Sequence, residues 1–143
     1  MVLLIDTNLI IDYLAEREQF KTTVDKLFDY ILSNRVSGCL AAHSVTNMWY
    51  ILRKLMTAEK RRELFLSILG TFDVIALDEQ KLISALERRN FTDFEDCLQD
   101  ECAQDAHADY IVTRNPKDFA RSDIPAITPD EFSRRFLNYH IKE

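Results

Sequence analysis

Residues 90–99 read NFTDFEDCLQ and place Asp93, Glu95 and Asp96 within four positions. Two further carboxylates stand in comparable places. Asp6 directly follows the apolar run VLLI, and Asp118 follows the turn TRNP that leaves another apolar run, DYIV. Carboxylates gathered at one spot repel one another unless something neutralises them. A hard divalent ion such as Mg2+ or Mn2+ does this through oxygen ligands, usually keeping several of its waters. Water held by such an ion becomes a nucleophile near neutral pH, and the ion steadies charge on a phosphoryl oxygen. The chemistry that these acids offer is hydrolysis of a phosphodiester.

The same acids have a local explanation, helix capping. With Thr92 as N-cap, Glu95 completes a capping box and Asp93 sits in the first turn, where the helix dipole favours a negative charge by roughly 0.3–1 kcal/mol. Asp96 then falls where a hydrophobic staple would want an apolar partner for Phe91, and capping does not explain it. With Asp93 as N-cap, Asp96 becomes the reciprocal member of the cap and no metal is needed. In either register Asp93 and Asp96, three apart, share a helix face. For Asn115 and Asp118 the plain reading is a turn, since RNPKD is rich in turn formers. For Asp6 the chemical reading is the stronger one.

The elements that must position these residues alternate along the chain. VLLI (2–5) reads as a strand buried on both faces, and Thr7 and Asn8 as N-cap types ahead of LIIDYL. Val24, Leu27, Phe28 and Ile31 mark one helical face, as do Met48, Ile51, Leu52, Leu55 and Met56, and then Leu64, Phe65, Ile68 and Leu69. Gly70 is placed like a helix stop. Strands are expected at 35–42, 71–77 and 109–113, with a short one at PAIT. Asp78 can cap EQKLISALERR, a helix should run from the acidic stretch to about Ala106, and Thr128-Pro129-Asp130-Glu131 joins a capping box to Pro at the first helical position. This alternation predicts an α/β domain, a three-layer α/β/α sandwich with a mostly parallel sheet of about five strands. Sites in such sheets form beyond the carboxyl ends of strands, where Asp6 and Thr113-Arg114-Asn115 stand.

Composition bounds the rest. A chain of 143 residues with 47% hydrophobic and 29% charged residues has the size and balance of one ordinary globular domain, spanning 1–143. With 2 Gly and 3 Pro it holds no long flexible linker. MVLLID lacks the basic start and long apolar stretch of a signal peptide, and no apolar run approaches membrane-spanning length, so a cytoplasmic protein without a membrane partner is expected. Cys39, Cys97 and Cys102 match no metal spacing and read as free, mostly buried thiols in a reducing compartment. A net charge of −6 weighs against a surface that grips nucleic acid all over, but not against acids concentrated in a metal pocket.

Taken together, LLIDTNLIIDYL, DFEDCLQ and DYIVTRNPKDF resemble the PIN-domain family, in order and spacing over nearly the whole chain. The resemblance implies an α/β/α sandwich whose carboxylates bind Mg2+ or Mn2+ and cut RNA. It further implies an endoribonuclease toxin of a type II toxin–antitoxin pair (VapC-like), with an antitoxin protein as partner and a homodimer as the common assembly. Carried over by position, Asp6 is the first metal ligand, Asp96 the helix-borne one, Asp93 an accompanying acid, and Asp118 a catalytic and metal-site acid. Two departures stand out. Many members carry Glu near the start of the helix after the second strand, where this chain has Asn47, which brings an amide oxygen but no charge. Where many have Thr-x-Asp, it has Thr113-Arg114-Asn115 with Asp118 three later. Asn47, Thr113, Arg114 and Asn115 are supporting or substrate-facing candidates, Arg114 because guanidinium pairs bidentately with phosphate. The alternative that Asn47 keeps open is a weakened or inactive relative that binds RNA or a protein.

The remaining features read as structural. Arg53, Lys54, Lys60, Arg61 and Arg62 look like a solvated helix face more than an RNA contact. His43, His107 and His140 match no metal spacing, and Trp49 and Tyr50 read as core or interface. A phospho-accepting receiver domain is set aside, because IDTN offers one acid where that fold wants two and DIPAITPDE offers no Lys.

Overall fold

A computed structural model describes residues 1–18 and 21–137. Five strands form one parallel sheet in the order β3-β2-β1-β4-β5: β1 (Val2–Ile5), β2 (Ser37–Ala41), β3 (Asp73–Ile75), β4 (Tyr110–Val112) and β5 (Ala126–Ile127). Seven α-helices are seen among the described residues: α1 (Thr7–Leu14), α2 (Lys21–Leu32), α3 (Ala42–Ile51), α4 (Ala58–Thr71), α5 (Glu79–Glu87), α6 (Phe94–Asp105) and α7 (Pro129–Phe132).

The strands are buried on both faces, which is why VLLI shows no polar alternation. Leu3 and Ile5 face one core with Leu9, Phe28, Met48, Val112 and Phe132, while Leu4 faces the other with Cys39, Cys102, Ile111 and Phe119. Helices α1, α2, α3, α4 and α7 cover the first face, and α6 covers the second with α5 packed on it. The expected three-layer sandwich is present. The strand order also separates it from a receiver domain, whose flavodoxin-like sheet runs 2-1-3-4-5.

The α2 stripe is buried as expected, and Asp78 and Thr128 cap α5 and α7 through their side chains. Three local expectations are corrected. Gly70 does not stop a helix: α4 runs on to Thr71, because Phe72 N–H still bonds the Ile68 carbonyl and the buried Phe72 ring ends the helix instead. The strand expected at 71–77 therefore shrinks to Asp73–Ile75. After Ile51 the chain tightens into a 3-10 turn at Leu52–Lys54, so Met48 and Leu52 are buried while Ile51 and Leu55 are exposed. One close approach needs glycine: a Cβ on Gly38 in β2 would lie 2.8 Å from the Phe72 ring.

Parallel pairing sets the site. The chain runs from β1 outward through β2 and β3, then returns to start β4 on the other side of β1, so the switch point lies between β1 and β4. Ile5 pairs with Val112, and Asp6 N–H donates to the Val112 carbonyl at 3.0 Å. The residues leaving these two strands, Asp6 and Thr113, are thereby forced side by side, where crevices of open α/β sheets bind ligands.

Candidate functional site

Asp6 occupies the N-cap of α1, the position expected of Thr7 or Asn8, yet its side chain makes no capping bond. An Asp there ordinarily accepts from a backbone N–H of the first turn. Here the carboxylate turns inward. Oδ1 accepts from Gln99 Nε2 at 3.0 Å and Oδ2 accepts from Thr113 Oγ1 at 2.8 Å, with all three residues buried. Thr113 in turn accepts from Asn115 N–H at 3.1 Å, so the turn after β4 is tied to Asp6 through one hydroxyl.

At the start of α6 the capping question has a definite answer. Asp93 is the N-cap, and its Oδ1 accepts from Asp96 N–H at 2.9 Å. Thr92 is not the cap, and Glu95 therefore does not close a box with it. The reciprocal bond from the Asp96 side chain is not made; among the described residues that carboxyl has no hydrogen-bond partner. Its pKa is pushed up from an ordinary 3.8 to about 7, first by burial and then by the charges of Asp93, Asp6, Asp118 and Glu95. Four acids from three parts of the chain thus act on Asp96. Asp118 belongs to a 3-10 turn, Pro116–Phe119, whose backbone is held by Asp118 N–H on the Asn115 carbonyl. The turn reading of RNPKD is correct, and the turn brings its acid to bear on Asp96. Glu95 leans toward α3 and accepts from Asn47 Nδ2 at 3.3 Å.

Residues not singled out in the sequence complete the surroundings. Gln99 is one; its signal is a polar side chain three after Asp96 on the same helical face. Asp12 is another, a fully covered carboxyl about one and two-thirds turns along α1 from Asp6. Arg114 Nε lies 3.1 Å from its Oδ2 and Arg17 Nη1 3.3 Å from its Oδ1. Burial raises the Asp12 pKa, and the two arginines oppose that rise. Arg114 is accordingly anchored from behind by an ion pair. Arg61 is corrected: it is buried rather than solvated, donating to the Trp49 carbonyl at 2.7 Å and stacking on the indole, whereas Tyr50 is exposed. His43 is partly buried with its pKa lowered by that burial, His107 is exposed, and His140 lies outside the described residues.

The donor set suits a hard divalent cation in kind: carboxylates, with the charges of Asp93, Asp6, Asp118 and Glu95 all acting on the Asp96 carboxyl. Among the described residues no three acids, His or Cys form a ready-made cage. No described helix is long and apolar enough to cross a membrane.

Comparison with known proteins follows the same lines. The model of the PIN domain matches residues 2–117. Ribonuclease VapC1 of Aquifex aeolicus is 25% identical over 138 residues, covering 92% of this chain and 93% of its own. Among solved structures, a toxin–antitoxin complex from Klebsiella pneumoniae matches with a TM-score of 0.66 at 21% identity, over 89% of this chain and 97% of that one. The sarcin-ricin-loop-cleaving toxin VapC20 of Mycobacterium tuberculosis matches with a TM-score of 0.63 at 12% identity, over 76% and 86%.

Proposed function

The chain belongs to the PIN-domain family, and from that premise we propose that it is a metal-dependent endoribonuclease, the toxin of a toxin–antitoxin pair. One observation carries the reading: Asp6 gives up the capping bond its position offers and joins Asp96 at the switch point, where Asp93, Asp118 and Glu95 add charge. Bringing acids together in this way is unfavourable unless a cation offsets it.

Asp6 and Asp96 are the residues that would hold Mg2+ or Mn2+, with Asp118 as a third acid and Asp93 as both cap and neighbouring charge. The bound ion would supply an activated water and neutralise charge on the scissile phosphate. Asp96 carries a proton on its carboxyl over part of the neutral range, since its pKa lies near 7. Metal affinity should therefore rise with pH up to that value, as the competing proton leaves. Thr113 keeps Asp6 turned inward, Asn115 keeps Thr113 in place, and Arg114, braced by Asp12, is available to order an RNA phosphate. The charge that Asn47 does not bring is present beside it in Glu95. A ribonuclease among the relatives and a toxin–antitoxin complex among the similar folds support the RNA substrate and an antitoxin partner; a homodimer is the assembly we infer.

The test is cleavage of RNA by the purified protein with Mn2+ or Mg2+, with chelator, and with Asp6→Asn and Asp96→Asn. Cutting that needs metal and disappears in both variants supports the proposal. Tight RNA binding without cutting, unaffected by metal, would favour the alternative of an inactive RNA-binding relative, to which Asn47 points.

A further inference from the structure

Gln99 adds no charge to the acid cluster, yet, like Thr113, it is bound to Asp6. It lies on α6 three residues after Asp96, so one helical face presents both. Its side chain is buried, and its Nε2 reaches Asp6 Oδ1 at 3.0 Å while Thr113 Oγ1 holds Oδ2 at 2.8 Å from the other side. The orientation of the amide follows from charge. An ionised Asp6 can only accept, so the NH2 must face it, and the opposite flip would set oxygen against oxygen. Gripped at both oxygens, the carboxylate cannot rotate without breaking a bond. The other end of the amide, Oε1, is buried and has no hydrogen-bond partner among the described residues. An unpaired buried acceptor is unfavourable, so packing alone does not account for an amide at this place.

We propose that Gln99 is a positioning residue of the cation site. Its Nε2 fixes the rotamer in which Asp6 offers an oxygen to the metal. The idea rests on the metal-dependent reading above and extends it to a residue outside the acid set. Outer hydrogen bonds of this kind typically change metal affinity or activity by 10–100-fold when removed.

The experiment is Mn2+ binding to the full chain by electron paramagnetic resonance, with melting curves in chelator run alongside. Gln99→Met keeps the size and loses the amide; Gln99→Asn keeps the amide and draws it back by one methylene. Thr113→Val and Thr113→Ser test the opposite grip. Folded Gln99→Met and Gln99→Asn should each bind Mn2+ about 10–100-fold more weakly, Thr113→Val likewise, and Thr113→Ser close to wild type. Cleavage should recover at saturating Mn2+, since the defect lies in holding the ion. Gln99 variants that melt earlier but keep wild-type Mn2+ affinity would make the residue structural and overturn the inference. Wild-type protein that binds no Mn2+ would instead overturn the metal-dependent reading itself.

Discussion

Replacing Asp96 by Asn should make the metal-free protein more stable above neutral pH while removing its cation site. The carboxyl is shifted from 3.8 to about 7. At about 1.4 kcal/mol per unit this is ~4 kcal/mol at face value. Asp96 keeps partial contact with solvent, which screens the repulsion, and its place in the first turn of α6 returns about 0.3–1 kcal/mol to the charged form. A net gain of about 1–2 kcal/mol is expected for the variant, or roughly 3–10 °C in Tm. The sign follows from proton binding. Between pH 3.8 and about 7 the folded state holds a proton that the unfolded state has lost, so wild-type stability falls as pH rises through that window and the full penalty stands above it. Asn does not titrate, so the advantage of Asp96→Asn should vanish below about pH 4, reach about two-fifths of its full size at pH 5, grow through pH 6 and 7, and level off by about pH 8. Urea unfolding in chelator at these values measures it. Added Mn2+ should reverse the order, stabilising the wild type by ~2.7 kcal/mol at a hundred times its Kd and leaving the variant unmoved. A variant that is less stable than wild type at every pH would mean that the acids do not converge on Asp96, and the site would lose its electrostatic basis.

Asp93→Ala removes a cap, and it should cost about 0.5–2 kcal/mol in urea unfolding while reducing cleavage less than Asp6→Asn does. Gly38→Ala drives a Cβ to 2.8 Å from Phe72 and 3.0 Å from Ile31, so denaturation should show a loss of about 1–3 kcal/mol; unchanged stability would mean that the Phe72 ring gives way freely. The three cysteines are buried, with Cys39 pushed up to about 12 and Cys102 to about 11 by burial. A disulfide reagent at pH 8 should therefore label none of them in the folded protein and all of them in guanidinium.

Much of this protein is legible in its residues alone. Apolar runs of four or five residues between helical stripes can bury themselves only as a parallel sheet between helix layers, and Asp6 after the first run is the acid least explained by local structure. Capping signals inside one segment, at Asp78 and at Thr128, are legible because the bond they make spans three residues. Where local signals compete, tertiary packing chooses. Gly70 is overridden by the buried ring of Phe72, and Asp93 rather than Thr92 takes the N-cap. The site itself is settled by pairing across the chain: Gln99 and Thr113 stand 93 and 107 positions from Asp6 in sequence. Residue types disclose that carboxylates are available at strand and helix ends. Only the register of β1 against β4, and the docking of α6 beside them, decides which oxygens meet which donors, because a hydrogen bond depends on a few tenths of an ångström that no spacing along a chain encodes.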